Sequence, residues 1–245
     1  LQSGVVEPDK VVDGIKRKAP RRDDEGLLVR LAEEDPRAVF RSLPPSSQEY
    51  ARLMRTRMEL TQLIERGGWG PTVQARRLEP GDSGPQTVRL RDRLVAMGYL
   101  SPTLSMRYDW QMQDAVTRFQ LAHGLEADGI AGSATIDALN VPARERLRAV
   151  AVAMERERWL NLEDGLGQRH IKVNLTDFHA EIIDDGKLTF ATRSVIGHQD
   201  LDRRTPEFSD VMDHMVINPS WYVPRSIIVN EYLPQLKQNP GAVSH

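Results

Sequence analysis

Apolar residues recur at helical spacing through the first two thirds of the chain and at alternating spacing behind. The pattern therefore predicts a helical front and a β-rich rear. Leu27, Leu28 and Leu31 lie before Pro36, and Ala38 and Val39 follow it. Tyr50, Leu53, Met54, Met58, Leu60 and Ile64 then form one stripe, with Ser46 or Ser47 as N-cap and Gly67-Gly68 as the stop. Residues 78–140 read as three short helices. The first carries Val88, Leu90, Leu94, Val95 and Met97 and is closed by Gly98. Asp109 caps the second, which carries Met112, Ala115, Val116 and Phe119 and ends at Gly124. A tight loop, Asp128-Gly129-Ile130-Ala131-Gly132, opens the third, with Thr135, Ile136 and Leu139. A further helix over 143–162 places Leu147, Val150, Ala151 and Met154 on one face. The period then changes. Ile171, Val173 and Leu175 alternate with polar residues, and Glu181-Ile182-Ile183 and Leu188-Thr189-Phe190 flank Asp184-Asp185-Gly186-Lys187, a hairpin signal because the turn needs positive φ. Further β segments are expected at Ala191–Gly197 and Met215–Asn218, and a helix at Ser226–Leu236.

Composition narrows the function classes. The chain has 245 residues, 40% hydrophobic and 28% charged, with a formal net charge of -2. That balance gives no electrostatic case for nucleic acid or anionic lipid. No apolar run reaches the roughly 18–20 residues that cross a bilayer. Residues 1–25, with a basic cluster turning acidic and few apolar anchors, are expected as a solvated arm. The first residue is Leu1, and no signal peptide is visible. Cysteine is absent, so this chain holds no disulfide, no thiolate zinc site and no cysteine nucleophile. His170 and His179 stand nine apart and His198 and His214 fall in loop-like stretches, which is not zinc-site spacing. Gly165-Leu166-Gly167 lacks the rest of a phosphate loop. No metal or cofactor is expected.

The segment Leu78–Asn140 resembles the three-helix peptidoglycan-binding domain. The elements that carry the likeness are Leu78 with Gly81, Met97-Gly98-Tyr99, Ala115-Val116-Thr117-Arg118-Phe119-Gln120, His123-Gly124-Leu125, Asp128-Gly129-Ile130-Ala131-Gly132 and Leu139-Asn140. Arg91 stands where that family usually has glutamine. Phe119 and Leu94 are expected in the core, and the polar set Arg107, Gln120, His123 and Asp128 is the candidate for touching glycan or stem peptide. The remainder resembles the large-type murein L,D-transpeptidases. The likeness rests on Trp69-Gly70-Pro71-Thr72, Met154 to Leu160, His170-Ile171-Lys172-Val173-Asn174, Ser194-Val195-Ile196-Gly197, Arg204-Thr205-Pro206 and Ile217-Asn218-Pro219-Ser220-Trp221-Tyr222-Val223-Pro224.

These resemblances imply an α+β multidomain fold: a helical scaffold (26–75 and 142–165) around the binding module (76–141), then an incomplete, mostly-β catalytic domain (166–245). They imply peptidoglycan as partner, a cell-envelope or periplasmic location, and 3→3 cross-linking of stem peptides through a cysteine acyl-enzyme. Carbapenem-type β-lactams would be further partners of the complete enzyme. Asn218, Trp221 and Tyr222 are the candidate substrate-binding residues, although Trp221 and Tyr222, flanked by Pro219 and Pro224, read first as core of the β domain. In that family a histidine, a serine-glycine and the nucleophilic cysteine follow the Asn-Pro block. None of that motif follows here, and His245 reads as incidental. The expectation is therefore a truncated domain, silent by itself, with no catalytic residue in this chain. A non-catalytic wall-binding adaptor and a different wall hydrolase sharing only the module remain open.

Overall fold

A computed structural model describes residues 3–20, 23–162, 165–198, 203–220 and 222–239. The chain divides into two compact units, one running to Phe208 and one starting at Ser209. The first unit opens with α1 (Asp24–Glu33), α2 (Pro36–Ser42) and α3 (Gln48–Glu65). Each starts where a short polar side chain covers orphan amides. Asp23 accepts from Glu25 and Gly26, Asp35 from Arg37 and Ala38, and Ser47, rather than Ser46, from Tyr50. Gly67, at φ 100°, follows the end of α3 in the left-handed region where a Cβ is penalised.

The scaffold is made when α3 packs on α7 (Ala143–Arg158). Tyr50, Leu60 and Met154 are buried there. Arg158 donates to the Tyr50 hydroxyl at 2.7 Å while its guanidinium lies 5.3 Å from that ring, and Ser47 donates to Glu157 at 2.9 Å. Asn161 reaches back to the Leu43 carbonyl at 3.1 Å, closing the end of the pair.

Between these two helices the chain makes the module: α4 (Pro85–Ala96), α5 (Trp110–Ala122) and α6 (Ser133–Asn140). Its core is its own, built on Leu90, Leu94, Tyr108, Met112, Val116, Phe119 and Leu139, all essentially solvent-free. Two-residue bridges, Leu78 with Ala131 and Ser83 with Arg107, fasten its loops. Arg91 has a structural use, donating to the Ser105 carbonyl at 2.8 Å and so holding the loop before α5 against α4.

The entry and exit of the module are stapled together. Arg93 is 3% exposed. Its guanidinium donates to the Leu139 carbonyl at the end of α6 and to Gly70 and Pro71 in the incoming connection, at 2.9 and 3.3 Å for the latter two. Asn140 adds a reciprocal pair with the Val73 backbone, 2.9 Å in each direction. Burial pulls Arg93 below the ordinary guanidinium value, yet the group stays cationic and its charge sits favourably on the negative end of α6.

Behind α7 comes a three-stranded antiparallel meander of β1 (Arg169–Asn174), β2 (His179–Asp184) and β3 (Lys187–Arg193). Asp185 and Gly186, both at positive φ, make the expected turn. The register pairs Ile171 with Ile182 and Ile182 with Phe190, and it slips by one residue between Ile182 and Ile183. Ile171, Val173, Ile182, Ala180 and Phe190 therefore share a face, and Ile171, Val173 and Phe190 are exposed on it. Two expectations are corrected. The segment expected over Ala191–Gly197 is strand only to Arg193, after which the Ser194 and Gly197 amides turn to the Phe178 carbonyl and the Thr205 hydroxyl instead of a ladder, and Met215–Asn218 is not a strand. In the second unit, the expected helix runs from Arg225 to Gln238 as α8 (Arg225–Ile227), a π-helical turn (Ile228–Tyr232) and α9 (Leu233–Gln238). Pro234 accounts for the break in α periodicity, since it offers no N–H to the preceding turn.

The front segment also differs from a solvated arm. Residues 3–20 are tied down: Val5 and Val6 donate to Glu155 on α7 at 2.6 and 2.9 Å, and Ile15 is buried. Lys16 donates to the Glu207 carbonyl at 2.7 Å, and the Glu207 carboxylate meets both Arg17 and Arg156. Of the basic cluster, Arg17 joins an ion-pair network with Glu207 and Arg156, while Lys16 contributes its backbone amide. Arg21 and Arg22 lie outside the described residues.

Replacing Arg93 by leucine strands the buried Leu139 carbonyl and removes the donor from the part-buried carbonyls of Gly70 and Pro71, and should cost about 3 kcal/mol. Arg93→Lys should recover only part of this, because an ammonium cannot fork across the same acceptors. Urea denaturation of the two variants against the parent measures both.

Candidate functional site

The polar residues expected to meet ligand take different roles. Gln120 is 1% exposed and faces inward. Its amide nitrogen donates to Asp128 and the Ile130 carbonyl at 2.9 Å each, and its oxygen accepts from Gly129 at 2.9 Å. A contact between Gln120 and ligand is thus replaced by an internal one: Gln120 shapes the 128–130 loop. The cause is its position on the core-facing side of α5, one residue after Phe119. Gly129 completes the loop. At φ 71°, a Cβ there would sit 2.7 Å from Gln113 Cγ and 2.9 Å from Thr117 Oγ1. Tyr108 fixes the far side by donating to the Gly129 carbonyl at 2.9 Å, and burial raises its phenol well above the usual range.

Asp128 and Arg107 are exposed at the rim of this loop system. The Ile130 amide, helped by Gln120, holds the Asp128 carboxyl below the ordinary aspartate value. Asp109, the cap of α5, is likewise lowered, first by the Ser105 hydroxyl and then by the Met112 amide. Beside Arg107 stands Trp110, 75% exposed, with Met106 and Leu104 also open to solvent. The sequence stripe of α5 gave no sign of Trp110, which opens the helix off its apolar face.

His123 lies elsewhere, at the far end of α5. Its ring stacks on Phe119 at 3.9 Å, and Nδ1 meets the Phe119 carbonyl at 2.8 Å. Tyr99 packs edge-on against Phe119 at 5.3 Å. Burial lowers the His123 pKa, and Arg146 lowers it further against the raising effect of the Phe119 carbonyl. Burial raises the Tyr99 hydroxyl. These aromatics form one wall of a cleft of about 640 Å³ between module and scaffold. Leu53, Leu60 and Leu63 of α3 and Val150 of α7 form the opposite wall, and Trp69 and Met97 close an end. Cavities of roughly 300–1,000 Å³ suit small ligands and short chain segments. Trp69 and Tyr99 carry the family likenesses in sequence without any sign that they share a cleft, and Arg66 and Arg146 give none, because the cleft arises from packing two separated segments.

The remaining candidates belong to the second unit. Asn218 is exposed in the left-handed region at φ 54°, and Tyr222 is 88% exposed. Trp221 lies outside the described residues. Among the described residues no three His, Asp or Glu side chains converge as metal ligands, and no helix is long and apolar enough to cross a membrane.

Comparison with known proteins adds two domain matches. Residues 83–139 match the family described as "Putative peptidoglycan binding domain", which covers α4 to α6. Residues 168–245 match the "L,D-transpeptidase catalytic domain". The chain thus holds one segment similar to a peptidoglycan-binding domain and a second similar to an L,D-transpeptidase catalytic domain. A curated relative from Haemophilus influenzae, described as "Putative L,D-transpeptidase", is 30% identical over 74 residues. That stretch is 30% of this chain and only 15% of the relative, so the chain spans a small part of that protein's length. The segment matching the binding domain holds the buried core of α4 to α6, and the catalytic-domain match begins just before the meander.

His123 gives a pH prediction. Its folded pKa lies below its ordinary value of 6.5, so the unfolded chain binds the extra proton first. Stability should be full above 6.5, fall as the pH drops through that value, and level off below the folded pKa. Tyr99, Phe119 and Arg146 surround the ring, and none supplies a carboxylate to reverse the sign. Denaturation midpoints between pH 7 and 5 should fall less for His123→Phe than for the parent.

Proposed function

We propose that this chain anchors an L,D-transpeptidase to peptidoglycan in the bacterial cell envelope, and that the whole enzyme forms 3→3 cross-links between stem peptides in the periplasm. The observation that carries the reading is the pairing, in one chain, of a binding domain with its own sealed core and a stretch of catalytic-domain sequence. The chemistry proposed for the whole enzyme is attack by a thiolate on the donor stem peptide, giving a thioester and releasing the terminal residue; an acceptor amine then displaces the thiol. This chain has no cysteine. Acting alone it forms no acyl-enzyme and takes no label from a carbapenem-type β-lactam. In this reading Arg107, Asp128 and the neighbouring Trp110 meet the wall, with Gln120 holding their loop, while Asn218, Trp221 and Tyr222 serve the catalytic domain's substrate. A second reading is a wall-binding adaptor without chemistry, which the binding-domain match fits equally.

Two measurements separate these. The purified chain should co-sediment with isolated sacculi and keep its unmodified mass after incubation with a carbapenem; failure to sediment, or a covalent adduct, contradicts the proposal. Deleting the gene in its native cells should deplete 3→3 muropeptide dimers. An unchanged dimer fraction supports the adaptor.

A further inference from the structure

The cleft between module and scaffold has a composition that selects a ligand. Its walls are short aliphatic and aromatic groups, yet its rim carries two guanidinium groups, Arg66 at the end of α3 and Arg146 on α7, against one carboxylate, Glu59. Arg66 spends its Nε on the Gln62 carbonyl at 3.2 Å, and Arg146 spends one terminal nitrogen on the Ala138 carbonyl at 3.2 Å. Among the described residues neither is paired with a carboxylate, so donors remain on both for a ligand oxygen. Excess cationic charge beside a dry wall favours a molecule that is anionic at one end and apolar along its length. The indole of Trp69 and the ring of Tyr99 add flat surfaces against which a narrow chain can lie.

We infer that this cleft binds a short peptide with small aliphatic side chains and a free carboxylate, seated between Arg66 and Arg146 with its chain along Trp69 and Tyr99. In a wall-binding protein the peptide of that chemistry is the stem peptide rather than the glycan, an identification that rests on the proposed function. Neutral sugar hydroxyls would gain less from the two guanidinium groups than a carboxylate does. The rim at Arg107, Asp128 and Trp110 is a separate surface. One module could then hold the glycan on its outer loops and a stem peptide against the scaffold.

The test follows the Trp69 indole N–H by two-dimensional NMR of the whole chain, with Trp69→Phe assigning the signal. A synthetic stem tetrapeptide with free carboxylates should shift that signal and the Met97 and Tyr99 amides. The same peptide with its carboxylates amidated should bind at least tenfold more weakly, and chitotetraose should leave these signals unmoved. Arg66→Glu combined with Arg146→Glu should weaken the free-acid peptide at least tenfold. Unchanged module amides elsewhere would show that this variant is folded, and Arg66→Ala, at an exposed position, gives a milder second reading of the same loss. If the chain sediments with sacculi but the peptide moves none of these signals, the cleft assignment is overturned and the wall-binding proposal stands. If the peptide binds at Trp69 without sacculus binding, the cleft assignment stands and the wall-binding proposal falls. If neither occurs, both fall.

Discussion

The front two thirds of the molecule turn on a buried arginine held by backbone carbonyls, with no acid for a partner among the described residues. Arg93 sends its guanidinium to carbonyls at the end of α6 and in the connection leaving α3. Leaving the buried Leu139 carbonyl dry would cost more than most surface contacts contribute. Because a forked donor reaches several acceptors at fixed angles, it sets geometry as well as energy. The two points where the chain enters and leaves the module are thereby drawn to one place, with Asn140 and Val73 completing the staple. That closure lets a three-helix domain interrupt an α3–α7 pair without splaying it.

The same closure explains where a ligand site can form. With the module held at its base, the ends of α4 and α5 face α3 and α7 across a gap that neither side fills. The module's other end is shaped separately. There a buried glutamine, a buried tyrosine and a glycine with no room for a side chain fix the 128–130 loop from within. Polar residues that look like ligand contacts in sequence thus divide by burial: Gln120 builds the loop, while Arg107 and Asp128 present its rim.

Much of the fold was legible because local rules and tertiary packing agree there. The stripes of α4 and α5, the caps Asp109 and Ser47, and the Asp185-Gly186 turn appear where periodicity and turn chemistry put them, whereas the α3 stripe is only partly used, with Tyr50 and Leu60 buried and Met54 and Met58 exposed. The failures have one cause in common: a signal that depends on partners far away in sequence. Residues 3–20 read as polar and unanchored because their anchors, Glu155 and Glu207, are distant acidic residues with no local mark. Met215–Asn218 has strand-like composition but no ladder among the described residues. Arg93 gave no sign at all, since a cation inside a helical stripe reads as a solvated position. The cleft was hidden for the same reason, being lined from segments nearly a hundred residues apart.

Native-state hydrogen exchange of the whole chain is the most direct test that the module supports itself and is fixed by the Arg93 staple. The account predicts the slowest amides at Leu90, Leu94, Met112, Val116 and Phe119, with those of β1 to β3 exchanging far faster. In Arg93→Leu the module amides should accelerate together while the meander's rates stay put. Equal protection of meander and module, or an Arg93→Leu effect spread evenly over both, would contradict it.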